Sequence, residues 1–173
     1  MKEIELKFKL TDEQFDSLCK RFSIDSSDFY TIKDIYFKTT GGVSLRIREN
    51  YGGSVLTYKS KKNILDDGSI SRLEIEPRVI KDDIDEWIEI LGELGFPIKV
   101  ILTKERADIE FDNGVKASID VLDNTTSSKF IELEILTEDP ATAAYKLSEA
   151  KALIGLQQAP ETRSYIEIYE VGD

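Results

Sequence analysis

The chain opens MKEIELKFKL (residues 1–10), in which Ile4, Leu6, Phe8 and Leu10 alternate with Glu3, Glu5, Lys7 and Lys9. A period of two describes a strand with one apolar face against a core and one wholly charged face. Like charges two residues apart on a strand stand only about 6.6 Å from each other. Glu3 and Glu5 therefore repel unless solvent, a counter-charge or a bound ion offsets them. Which of the three does so decides whether this strand has a wet outer face or lines a site.

The pattern returns along the chain. In SLRIR (44–48) Arg46 and Arg48 oppose Leu45 and Ile47; in LTYKS (56–60) Lys59 shares a face with Thr57. In RLEIE (72–76) Arg72, Glu74 and Glu76 oppose Leu73 and Ile75, and in KERADIEF (104–111) Lys104, Arg106 and Asp108 oppose Ala107 and Ile109. KASIDV (116–121) sets Lys116, Ser118 and Asp120 on one side, and FIELEIL (130–136) sets Glu132 and Glu134 against Ile131, Leu133 and Ile135. TRSYIEIYE (162–170) reads as a last strand, with Arg163, Tyr165 and Glu167 on one face and Ile166 and Ile168 on the other. Any one of these strands alone is equally well a solvated sheet face. Together they place like-sign pairs on one face where cross-strand repulsion selects against them. Around eight such strands can close into a barrel with no free edge and alternate residues pointing into the lumen. A lumen of Lys and Arg beside clustered carboxylates suits a polyanion with its divalent cation: guanidinium groups grip phosphate oxygens, and carboxylates hold the metal that bridges them.

Composition narrows the chemistry. The 173 residues carry 34 acidic and 23 basic side chains, a net charge of -11, which argues against non-specific attraction to nucleic acid or an anionic membrane. With no histidine and a single cysteine, Cys19, the commonest general base is missing and neither a disulfide nor a thiolate cluster can form within the chain. Zinc chemistry and serine-protease triads are thereby disfavoured, and a metal held by carboxylates is a hard ion such as magnesium or manganese. Apolar runs such as VIL (100–102) fall far short of the roughly 20 residues that span a bilayer. The expectation is one soluble domain, residues 1–173, in the cytoplasm.

Three helices punctuate the strands, giving an α+β chain. Thr11 and Gln14 form a capping-box pattern ahead of Phe15, Leu18, Cys19 and Phe22, which makes Cys19 a packing residue and not a nucleophile. A second helix is expected from about Asp83 to Leu94, with Trp87 on its apolar face and Gly95 and Pro97 as stop signals; a third has Asp139 as cap, Pro140 in its first turn and Gly155 at its end. The GG at 41–42, YGG at 51–53, DDG at 66–68 and NG at 113–114 read as hairpin-type connections.

With these residues in hand, the sequence resembles the CYTH domain family, the triphosphate tunnel metalloenzymes, which includes class IV adenylyl cyclases, thiamine triphosphatases and inorganic triphosphatases. The hallmark E-x-E-x-K is Glu3, Glu5 and Lys7, and LRIR, LTYKS, RLEIE, KER, Asp120, IELEI and the terminal RSY follow in order. Where many members carry a Leu-Gly turn, this chain has TTSSKF (125–130). The resemblance implies a closed eight-stranded antiparallel tunnel with about three helices packed outside. In it Lys7, Arg46, Arg48, Lys59, Arg72, Lys104 and Arg106 would bind the triphosphate, Lys7 and Arg106 serving catalysis as well. Glu3, Glu5, Glu132 and Glu134 would organise Mg2+ or Mn2+, with Asp120 a second-rank metal candidate beside Glu74 and Glu76.

Hydrolysis and cyclisation share positioning, charge neutralisation and a metal-organised attacking oxygen. A cyclase further needs a pocket for base and sugar, which the sequence does not display, so hydrolysis of tripolyphosphate, thiamine triphosphate or ATP is favoured. Class IV adenylyl cyclase activity is the alternative, and a non-catalytic polyphosphate- or nucleotide-binding module is the third reading. The expected partner is the small triphosphate, with no nucleic acid and no membrane; a homodimer is left open.

Overall fold

In the computed structural model, which describes residues 2–123 and 126–171, the first strand β1 (Lys2–Leu10) leads into helix α1 (Asp12–Phe22). Strands β2 (Tyr30–Phe37), β3 (Ser44–Asn50), β4 (Gly53–Lys59), β5 (Asn63–Ile64), β6 (Ile70–Ile75) and β7 (Arg78–Val79) follow. A 3-10 turn at Lys81–Asp83 opens α2 (Ile84–Glu93), and then come β8 (Ile98–Glu110), β9 (Lys116–Leu122), β10 (Lys129–Thr137), α3 (Pro140–Ile154) and α4 (Tyr165–Val171). The beginning of TTSSKF, Thr125, lies outside the described residues.

Eight strands run in the order β6-β1-β10-β9-β8-β2-β3-β4, and β4 pairs back onto β6 through Tyr58 with Ile75 and Lys59 with Glu74. The barrel is closed, every neighbour is antiparallel, and the two-residue strands β5 and β7 are appended to β6 and β4. Closure removes the sheet edges that would otherwise pair with other chains.

The barrel is polar inside and apolar outside. Ile4, Leu6 and Phe8 of β1 pack outward with Ile119, Ile131 and Leu133 under α1 and α3, which contribute Leu18, Ala143, Leu147, Ala150 and Ile154. The interval of three and four residues in α3 puts one stripe on the sheet. Cys19 is half-buried against this core. On the opposite wall Ile84, Leu91, Trp87 and Ile88 of α2 cover Ile35, Phe37 and Ile47. The capping box of α1 forms as the sequence requires, with Thr11 and Gln14 bonding each other's backbone amides, and Asp139 caps α3. No helix among the described residues is long and apolar enough to cross a membrane.

The expected last strand is instead a helix. Residues 165–171 form α4, and Tyr165 and Ile168 pack with Tyr36, Leu102, Leu122 and Phe130, the apolar ring at one end of the lumen. A period of three or four, not two, places Tyr165 and Ile168 on the same face. The barrel needs no further strand, because β4 and β6 already close it. The fourth helix thus fills an end of the barrel where a strand was expected on its wall.

Candidate active site

Register determines what meets in the lumen. Glu5 lies opposite Glu134 and Lys7 opposite Glu132 across β1 and β10; Glu3 faces Arg72, Arg48 faces Asp34, and Arg106 faces Asp120. The charged faces of successive strands thereby converge on a cavity of about 550 Å³. All seven cations expected to bind phosphate line it, as do Glu3, Glu5, Glu132 and Glu134. Ten basic and seven acidic side chains surround this space, so the cavity is net positive in a protein of net charge -11. A second cavity of about 180 Å³, lined by Tyr30, Asn50, Asp108, Lys116 and Ser118, shares Arg48, Arg106 and Glu134 with the first.

Two buried aspartates hold the cations in place. Arg106 donates from Nε and Nη2 to the two oxygens of Asp120, each at 2.6 Å, and Lys104 Nζ donates to Oδ2 at 2.8 Å. Asp120 has no exposed surface and does not line the cavity. Burial alone would raise its pKa, but Arg106 and Lys104 hold it below the usual carboxylate range. It sits as the counter-ion beneath two cations that line the cavity. Asp34 does the same work for β3: Arg48 grips it through Nε at 2.7 Å and Nη2 at 2.8 Å, and Arg46 stands 3.6 Å away. There too the guanidinium groups outweigh desolvation and keep the carboxylate ionised. Arg46 also donates to Tyr36 Oη at 3.2 Å.

Sequence reading missed Asp34 and Tyr36. In YTIKDIYF (30–37) both faces are buried from Asp34 onward, so no alternation singles them out. Their signal is a lone acid in an apolar run, which must be paired when buried.

The cradle is short of acceptors. The buried Nε atoms of Arg46 and Arg72 have no hydrogen-bond partner. Lys7 is 3% exposed; its nearest carboxylate, Glu132, is 4.0 Å away. Buried donors left open cost about 1–3 kcal/mol each, and an oxyanion is the ligand that completes them. Burial, with the neighbouring Arg106, brings the Lys104 ammonium down to about 8.

The acidic side divides into paired and unpaired groups. Lys59 donates to both oxygens of Glu3 at 2.7 and 2.6 Å and lies 3.0 Å from Glu74. Arg72 holds Glu5 at 3.1 Å, and Arg106 holds Glu132 at 2.8 Å. Glu76 accepts from Thr57 at 2.6 Å. Glu134 makes no hydrogen bond or ion pair among the described residues; burial and the carboxylates of Glu3 and Glu132 push its pKa up to about 7. No three acidic groups among the described residues are closed around a common point; Glu3 and Glu132 are instead paired with Lys59 and Arg106. The donor set nonetheless fits a hard divalent cation: carboxylate oxygens only, one of them unpartnered and repelled by two others.

The comparisons with known proteins agree with this geometry. No curated protein matches the chain in sequence. Among solved structures, the PH1819 protein of Pyrococcus horikoshii OT3 is 30% identical over 99% of each chain, with a TM-score of 0.79. The PH1012 protein of the same organism is 25% identical over 95% of this chain and 98% of its own, with a TM-score of 0.77. HpAC1 from Hippeastrum, assigned as an adenylyl cyclase and described as having a dominant triphosphatase activity, is 20% identical over 98% of this chain and 96% of its own, with a TM-score of 0.72, a likeness of fold. The CYTH domain profile matches residues 1–165. A closed barrel whose cations face inward, together with a match over that span, establishes that the chain belongs to the CYTH domain family.

Proposed function

We propose that the lumen binds a linear triphosphate together with Mg2+ or Mn2+ and that the protein hydrolyses one of its phosphoanhydride bonds. The observation that carries the reading is the convergence of seven cations, six of them buried and Arg48 half-buried, on a cavity that also holds an unpartnered carboxylate. Arg46, Arg48, Arg72 and Lys59 grip the non-reacting phosphates, with Asp34 orienting two of the guanidinium groups. Lys7, Lys104 and Arg106 face the phosphoryl group that is transferred and offset the charge that develops on its oxygens. Asp120 fixes Lys104 and Arg106 without touching substrate. Glu134, Glu132 and Glu3 would hold the cation, with Glu5 in reserve across from Glu134. Such an ion supplies charge neutralisation and an acidified water.

The HpAC1 protein, with its reported triphosphatase activity on the same fold, supports hydrolysis over cyclisation. The deciding experiment incubates tripolyphosphate, thiamine triphosphate and ATP with magnesium or manganese and assays orthophosphate, pyrophosphate and cyclic AMP separately. Metal-dependent release of orthophosphate is expected. Cyclic AMP with pyrophosphate from ATP would replace this reading with the cyclase, and binding without any turnover would replace it with the binding module.

A further inference from the structure

The fourth helix carries a group that the cradle described so far does not use. Tyr165, the first residue of α4, is 6% exposed, and its ring centroid lies 4.6 Å from Lys7 Nζ and 4.6 Å from Lys104 Nζ. These lysines belong to β1 and β8, separated in the sheet by β10 and β9, so no strand pairing sets the distance between their ammonium groups. Tyr165 Oη donates to Asp120 Oδ2 at 2.7 Å, the same oxygen that accepts from Lys104 and Arg106. The ring is held in turn by Phe130, at 5.3 Å between centroids, and by Ile168. Two ion pairs fasten the helix itself: Lys62 to Glu167 at 2.5 Å and Lys99 to Glu170 at 2.9 Å.

We propose that Tyr165 is a positioning residue of the anion cradle, its ring spacing the ammonium groups of Lys7 and Lys104 and its hydroxyl anchoring Asp120, the carboxylate that pairs with Lys104 and Arg106. An aromatic face attracts both cations and so offsets their mutual repulsion before any anion arrives. The docking of α4 thereby completes the cradle. This inference rests on the lumen being a triphosphate site.

The test measures tripolyphosphate binding to metal-free protein by calorimetry for the wild type, Tyr165→Phe, Tyr165→Leu, Lys7→Ala and Lys7→Ala/Tyr165→Leu. Because it takes the aromatic face away from both ammonium groups, Tyr165→Leu should weaken binding roughly tenfold, whereas Tyr165→Phe, which keeps the ring, should stay within about threefold. In the Lys7→Ala background the loss from Tyr165→Leu should shrink to about threefold, since only Lys104 remains to be placed. Should Tyr165→Leu unfold, Tyr165→Met fills the space with a flexible apolar chain and is read in its place. Wild-type affinity in a folded Tyr165→Leu protein, or losses that simply multiply in the double variant, would overturn the role of Tyr165 alone. Failure of the wild type to bind tripolyphosphate would overturn the site reading and this inference with it.

Discussion

Glu134 is the side chain on which the metal reading turns, because its neighbours each have a cation and it has none. Replacing it with glutamine keeps the shape and removes the repulsion from Glu3 and Glu132. Glu134→Gln should therefore be more stable than the wild type in EDTA, by about 1–3 kcal/mol, raising the melting temperature by several degrees. It should also lose the stabilisation that magnesium or manganese gives the wild type; thermal unfolding with and without metal checks both. Lys104 offers a second expectation, through pH. Its pKa falls on folding to about 8, from burial and Arg106, so folding favours the neutral amine. The resulting penalty is present in full below pH 8 and is relieved as pH rises toward the unfolded value. Stability of the free protein gains from this group as affinity for tripolyphosphate declines above pH 8. Calorimetry against pH should show that decline in the wild type and a much flatter profile in Lys104→Arg, whose charge does not titrate in this range.

At the level of elements, the barrel was legible because its pattern is inverted: like-sign pairs such as Arg46 with Arg48 and Lys104 with Arg106 survive on one strand face only if something offsets them. Here Asp34 and Asp120 do so from the facing strands. The first and third helices were legible from their caps. The fourth was not, since TRSYIEIYE alternates as well as any strand. Its overlooked signal was Ser164 followed three residues later by Glu167, a capping box: Ser164 N–H donates to the Glu167 carboxylate at 2.6 Å, and Glu167 N–H to Ser164 Oγ at 3.4 Å. Asp34 was hidden for a different reason, lying in a strand buried on both faces. Ser164→Ala should cost about 1 kcal/mol in the local stability of α4, measurable as faster amide exchange at 165–171 with the exchange of β1 and β10 unchanged.

The whole molecule separates two solvents' worth of chemistry. Helices α1, α2 and α3 supply the apolar cover that the outside of the barrel needs, which frees the inside to be charged. An acidic exterior repels stray polyanions at long range, while the proposed triphosphate would meet cations in a lumen where low dielectric strengthens each contact. What the sequence could not convey was the degree of pairing inside: of the four carboxylates read as metal ligands, three are met by Lys59, Arg72 and Arg106. The proposed triphosphate would have to exchange those partners for its own phosphate oxygens and metal. The central claim is that phosphates and a divalent ion share this lumen. It is tested most directly by crystals grown with tripolyphosphate and manganese and measured at the manganese absorption edge. The account predicts an anomalous peak bounded by Glu134 and Glu132, with phosphate density running along Arg46, Arg48 and Arg106; manganese and phosphate confined to the outer surface, with the lumen ion pairs intact, would contradict it.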